Sequence, residues 1–383
     1  MAALSGLVAL SACSGFGLGG NRPQIATQPV TGEVIGSGPV KVALLLPLSA
    51  TGNAGQVAQN MRNAADLALR DFQTANIQIL VKDDRGTAEG ARAAAGEAIA
   101  QGAELILGPL FAESVSAVAA VARGSNVPVV AFSTDTQNAG RGVYLLSFLP
   151  QSDVDRIVTY AAAQGKRSFA ALLPANAYGT VVEAALQRAV ANAGGRVMTI
   201  QRYALDQLSM QENATAVAGL VSQGTVDTVF IPDAGDAAPF LAQVLTSNGV
   251  STGTVTYVGS GQWDDPRIAG ESNLNGAWYP APEAAGFTSF AQRYRAAFGA
   301  TPQRTATLAY DATSLAAGLA SRFGADRFSA SVLTNPNGFI GIDGVFRFLQ
   351  NGTSQRGLAV WQIDAGQARV VDPAPKSFAG AAF

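Results

Sequence analysis

An uninterrupted apolar run, "VKVALLLPL" at residues 40–48, constrains the fold more than any other stretch. A strand with one wet face alternates apolar and polar side chains. This run does not alternate, so it reads as a strand buried on both faces. Such a strand needs helices above and below it, and the chain supplies them in regular alternation. After the loop "LSATGNAG", Val57, Met61, Ala64, Ala65, Ala68 and Phe72 recur at spacings of three and four, the apolar face of a helix. "IQILVKDD" is the next strand, "GTAEGARAAAGEAIAQG" a small-residue helix, and "AELILGP" a third strand. "AESVSAVAAVARGS" is a helix and "VPVVAFS" a fourth strand.

The rhythm restarts after Pro150. "FAALLPA" and "RVMTIQRY" flank a helix over 180–193 that turns Val182, Leu186, Ala189 and Val190 inward. Helices around 217–221 and 240–245 lead into "VDTVFIPD" and "TVTYVGS". The pattern predicts an α/β fold of two similar lobes, each a parallel sheet flanked by helices. The tail differs. Residues 287–323 read as helices, with Phe290, Tyr294 and Phe298 on one stripe and Leu308, Ala312, Leu315 and Leu319 on another. "GVFRFLQNGTSQRGLAVWQIDAGQARVV" then alternates around Asn-Gly and Ala-Gly turns, a signal for C-terminal antiparallel hairpin strands. The expected division is 39–149 plus 284–330 for lobe one and 150–283 plus 331–375 for lobe two.

Composition narrows the chemistry. Hydrophobic residues make up 48% and charged residues 14%, the balance of a chain with a large buried core. Basic and acidic residues nearly cancel, 25 against 27, and no basic run offers a nucleic-acid footprint. There is no histidine, which excludes an imidazole base or metal ligand. A single cysteine excludes thiolate zinc clusters and disulfides within the chain. Catalysis would have to rest on carboxylates, Lys, Tyr or Ser alone, and no phosphate-binding loop is present; neither an enzymatic activity nor a cofactor is expected.

The lone Cys13 follows the short apolar stretch 4–12, which is too short to span a bilayer. Leu10-Ser11-Ala12-Cys13 matches the bacterial lipobox, in which the cysteine becomes the lipid-bearing N-terminus. Residues 1–13 are therefore expected to be a lipoprotein signal segment ending in a lipidated Cys13. Residues 14–38, rich in Gly, Pro, Ser and Thr, read as a flexible tether. The expected location is the periplasm, anchored by lipid alone to the outer or inner membrane.

The order of "VKVALLLPLSATGNAG…AADLAL", "DDRGTAEGA", "LILGPLFAESVSAVA", "VPVVAFSTD", "ANAYG" and "LAYDATSLAAGL" resembles the type I periplasmic binding proteins, leucine-binding proteins above all. The resemblance covers nearly all of residues 40–372. The tail, "GIDGVFRFLQNG…RGLAVWQIDAG…VVDPAP", looks more like lipoproteins of the same fold described as penicillin-binding protein activators. The resemblance implies capture of a small polar ligand, such as an amino acid, in an interlobe cleft for an ABC permease. The alternative it carries is a non-catalytic partner of a peptidoglycan synthase.

Ligands of open parallel sheets bind outside the carboxyl ends of the strands. The loops expected there are 49–55, 108–114 and 133–135 from lobe one, and 176–178, 233–236 and 259–265 from lobe two. Ser49, Thr51 and Asp233 are candidates on that ground. The resemblance adds others. Ala112 stands where leucine-binding relatives place a serine on the ligand carboxylate, and Ser114 is the nearest substitute. Ser133 and Thr134 stand where relatives use backbone and threonine oxygens. Tyr178-Gly179 matches a turn that presents an aromatic ring near the ligand. Gln262 and Trp263 occupy the region of the acidic residue that usually holds an ammonium. Asp83-Asp84 and Asp264-Asp265 are either paired carboxylates for acid–base work or strand ends and helix caps.

Overall fold

The computed structural model describes residues 28–72 and 76–378. Cys13 lies outside them. The strand Val40–Leu46 forms as its composition requires. Val42, Leu44 and Leu46 point into a core shared with the helices Gly52–Asp71 and Ala306–Arg322. Ala43 and Leu45 point the other way, toward Ala88–Ala100 and Ala112–Gly124. A period of two thus feeds two helical layers from one strand. The expected face of the first helix is buried as read: Met61, Ala64, Ala65 and Ala68 are wholly inaccessible and Val57 nearly so.

The first sheet runs, in spatial order, 34–35, 77–83, 40–46, 105–107, 129–131, 143–145, parallel except for its first member. The second runs 367–372, 359–364, 278–281, 256–258, 228–230, 168–174, 196–203. Its last five members are parallel and its first two join antiparallel. In each lobe the first parallel strand lies between the second and third. Each sheet therefore has one point where the winding reverses, and there the loops splay apart into a crevice. In the second lobe Phe169, Ala171 and Leu173 face the helices Pro150–Ala163 and Ala177–Asn192, while Ala170 and Leu172 face Gln207–Ser222 and Ala237–Ser247.

Two expected boundaries move. Residues 28–38 are not tether. Val34–Ile35 pairs with Leu80 and Ile79 as an edge strand, and Thr31 Oγ1 donates to Glu97 Oε1 at 2.6 Å. Residues 339–356 do not belong to lobe two. They form a three-stranded antiparallel sheet, 339–341, 344–348 and 354–356, whose Phe346 and Phe348 lie in the first lobe's core. The second hairpin, Ala359–Asp364 with Gln367–Asp372, extends the second lobe's sheet beside Trp278–Ala281. The chain thus crosses between lobes at 145–150, 281–284 and 356–359.

Candidate functional site between the lobes

In the first lobe the crevice is set by close backbone approach. Gly108 ends the strand Leu105–Leu107 at φ +88°, and a Cβ there would fall 2.2 Å from the Leu45 carbonyl oxygen. Only glycine lets the loop 108–111 lie against the neighbouring strand. Ser49 is exposed in the loop after Val40–Leu46, and its N–H donates to Asp83 Oδ1 at 3.2 Å. Thr51 is the exposed N-cap of Gly52–Asp71, and its side chain makes no capping hydrogen bond. Ala112 opens the helix Ala112–Gly124 and is half-buried. Ser114 does not stand in for it at the surface. It is wholly buried on the helix's inner face, within the first turn, with no hydrogen-bond partner for its Oγ. Ser133 is nearly buried and its Oγ accepts the Asp135 N–H at 3.2 Å. Thr134 beside it is exposed.

The second lobe's crevice is spanned by its own side chains. The Tyr178 hydroxyl lies 3.2 Å from the Pro232 carbonyl oxygen and 3.0 Å from Ser260 Oγ. Burial pushes that phenol up to about 12. Gly179 after it packs on the Pro174 carbonyl, 1.8 Å from where a Cβ would sit. Asp233 Oδ2 accepts from the Tyr203 hydroxyl at 3.1 Å, and the Asp233 carbonyl accepts from Trp263 Nε1 at 2.9 Å. Trp263 is fully buried in the lobe's core, its ring stacked on the backbone of Gly259. The loop that presents it folds inward because glycine leaves room for an indole. Gln262 is exposed. Tyr178, Asp233 and Trp263 are therefore brought together, but as a network that braces three loops.

The acidic pairs end strands and cap helices. Asp83 accepts the Arg85 N–H at 2.9 Å and Asp84 the Gly86 N–H at 2.8 Å. Asp265 caps the helix Pro266–Ala269, and its carboxyl is held below the usual range by the Arg267 guanidinium and N–H. Asp264 pairs across the lobes with Arg304 at 3.1 Å. Arg304 in turn holds the buried Asp343 at 2.6 Å. Gln151 Nε2 reaches Thr136 Oγ1 at 3.4 Å, a second contact across the crossing.

Sequence reading missed the charges at the crossings. Arg356 is 7% exposed at the point where the chain leaves the small antiparallel sheet. Its guanidinium lies 4.8 Å from the Phe148 ring and 5.7 Å from that of Phe346. Asp153, at the start of the second lobe, and Asp311, in the first, are its electrostatic neighbours. Burial, opposed by Arg356, pushes each carboxyl up to about 7. The only sequence signal for Arg356 was a charge at an inward position of an alternating strand. Among the described residues no group of three or more His, Cys, Asp or Glu is placed to hold a metal ion.

Two sheets of one topology, joined by three crossings and facing each other through loops at their winding reversals, define the class of two-lobed proteins with an interlobe cleft. The chain belongs to the periplasmic binding protein family, whose sequence profile matches residues 39–368. A putative branched-chain amino acid ABC transporter protein from Rhodospirillum rubrum shares the fold at TM-score 0.75 and 18% identity, over 87% of this chain and 99% of that one. An ABC transporter substrate-binding protein from Desulfitobacterium hafniense, in complex with Leu, has TM-score 0.62 and 16% identity, over 87% and 99%. A solute binding protein of an ABC transporter from R. palustris, in complex with benzoate, has TM-score 0.57 and 17% identity, over 88% and 98%. Among curated protein sequences none matches this chain.

Proposed function

We propose that this protein captures a small carboxylic acid, an amino acid or an aromatic acid, in the cleft between its lobes and delivers it to an ABC-type importer. The observation that carries this is the pair of matched winding reversals facing each other across the crossings, with exposed Ser49, Thr51 and Thr134 on one side and Gln262 on the other. Leu and benzoate, the ligands of two structural neighbours, share only a carboxylate and an apolar body. A thermal-shift screen of both classes tests it. A ligand at a hundredfold excess over Kd stabilises the protein by about 2.7 kcal/mol. A screen of amino acids and aromatic acids that shifts no melting curve would end this reading.

A second reading, a non-catalytic activator of a peptidoglycan synthase, draws support from Tyr178 and Trp263. Their polar atoms are engaged within lobe two rather than offered to a solute. Purified synthase bound through the outer surface, with the cleft silent in the screen, is the result expected on that reading.

Attachment to the membrane through lipid on Cys13 is part of both readings and rests on the lipobox match. Cys13→Ser is expected to leave the protein folded and move it from the membrane to the soluble fraction. Unchanged membrane retention of the variant would count against the anchor.

A further inference from the structure

The unexplained feature of the crossings between the lobes is Arg356. Its Nε, Nη1 and Nη2 are all buried and none has a hydrogen-bond partner. A buried guanidinium left this way costs several kcal/mol, because its hydration is lost and nothing replaces it. Its surroundings make the deficit specific. Phe148 and Phe346 cover it. Neither Asp153 nor Asp311 comes within the 4.0 Å of an ion pair. Asp153 Oδ2 instead accepts the Gly261 N–H at 3.0 Å, and Asp311 Oδ1 accepts the Ile342 N–H at 2.8 Å. Asp311 Oδ2 is itself buried without a partner. The other charges nearby are committed. Arg304 holds Asp343, and Arg156 is engaged by the Leu358 carbonyl and Asp372. Gly261 opens the lobe-two loop that carries Gln262, so Asp153 ties this cluster to that loop.

We propose that Arg356 is the specificity-determining residue of the cleft, its unpartnered fork pairing with the carboxylate of the captured acid as the lobes close. Arg356 ends the strand 354–356 at the third crossing, and Phe148, at the first crossing, is one of the two rings over it. Two N–H donors of a guanidinium fit a carboxylate side by side, which a neutral amide cannot match. Asp153 and Asp311 keep their protons up to about pH 7, so in mildly acid solution neither balances the positive charge of Arg356. Above that pH the two aspartates ionise and compete with the ligand.

This inference rests on the proposed cleft function, and the test separates the two. L-leucine and benzoate, with L-leucinamide and benzamide as counterparts that lack the carboxylate, are titrated calorimetrically into the wild-type protein, Arg356→Lys and Arg356→Met, at pH 6 and 8.5. The expected result is binding of an acid, with its amide weaker by about 10- to 150-fold, the worth of hydrogen bonds to a charged group. Arg356→Met loses a similar factor for the acid alone, and Arg356→Lys recovers part of it. Acid binding takes up protons, read from buffers of different ionisation enthalpy, and weakens at pH 8.5. If the wild type binds an acid and its amide equally, or Arg356→Met binds the acid undiminished, the anchor is wrong while the cleft function stands. If the wild type binds none of the four probes, both fail. Should Arg356→Met not fold, the acid-to-amide ratio and the proton uptake of the wild type still decide.

Discussion

Replacing Trp263 with alanine is expected to destabilise the protein by about 3–5 kcal/mol, the usual cost of deleting a large buried aromatic side chain. The indole is fully buried, lies on Gly259 and donates from Nε1 to the Asp233 carbonyl. Its removal leaves a cavity under the loops 231–235 and 259–265 and orphans that carbonyl. For a lobe of this size the thermal midpoint should fall by roughly 10 °C. Trp263→Phe keeps much of the packing and loses the hydrogen bond, so its cost should be near half. Urea unfolding of the three proteins gives the answer. A Trp263→Ala loss below about 1 kcal/mol would mean that the side chain is not the brace its geometry indicates.

The second large effect is on pH. Burial raises the Asp84 carboxyl to about 6 and those of Asp153 and Asp311 to about 7. An acid whose folded value lies above its unfolded value binds its proton more tightly when folded. The stability it lends is full below about pH 4 and is lost as pH rises through 6 and 7. Each unit of displacement is worth about 1.4 kcal/mol. Relaxation and water entry reduce the sum, and a fall of about 2–4 kcal/mol between pH 5 and 8 is expected. Asp83, Glu97 and Asp265, whose values are lowered, act in the opposite sense but only below about pH 4. Unfolding free energies measured at pH 5, 6.5 and 8 should decline in that order, and Asp311→Asn should flatten the decline. Stability that is level or rising across this range would contradict the burial of these carboxyls.

What was legible in the sequence was whatever depends on local periodicity. Val40–Leu46 could be nothing but a doubly covered strand, and the faces of Gly52–Asp71, Ala177–Asn192 and Ala306–Arg322 were written in their spacing. Val143–Leu145 escaped notice because three residues between Gly142 and a polar Ser147 carry no period. Val34–Ile35 escaped for the same reason inside a Gly- and Pro-rich stretch. The hairpins 344–356 and 359–372 look alike locally, yet one packs on the first lobe and the other completes the second. Long-range partners, not local pattern, assign them. The loops of the candidate site follow from the strand ends, but the direction of each side chain on them is not readable. Nothing in "GSGQW" says that the tryptophan turns inward and the glutamine outward. Arg356, Asp153 and Asp311 are remote in sequence, and only the crossings bring them together.

The placement of the small antiparallel sheet has a consequence for the order in which the chain can become a protein. Phe346 and Phe348 fill the core built around Val42 and Leu44, and strands 359–372 close the edge beside Trp278–Ala281. A nascent chain emerging from its N-terminus can form the parallel strands of both halves early. It can finish neither half until nearly its whole length is available. Both cores therefore wait on contacts of the greatest sequence separation, where loop-closure entropy is largest and search is slowest. Until then it remains a partly collapsed chain with open sheet edges, the form in which proteins are most exposed to chaperones, proteases and aggregation.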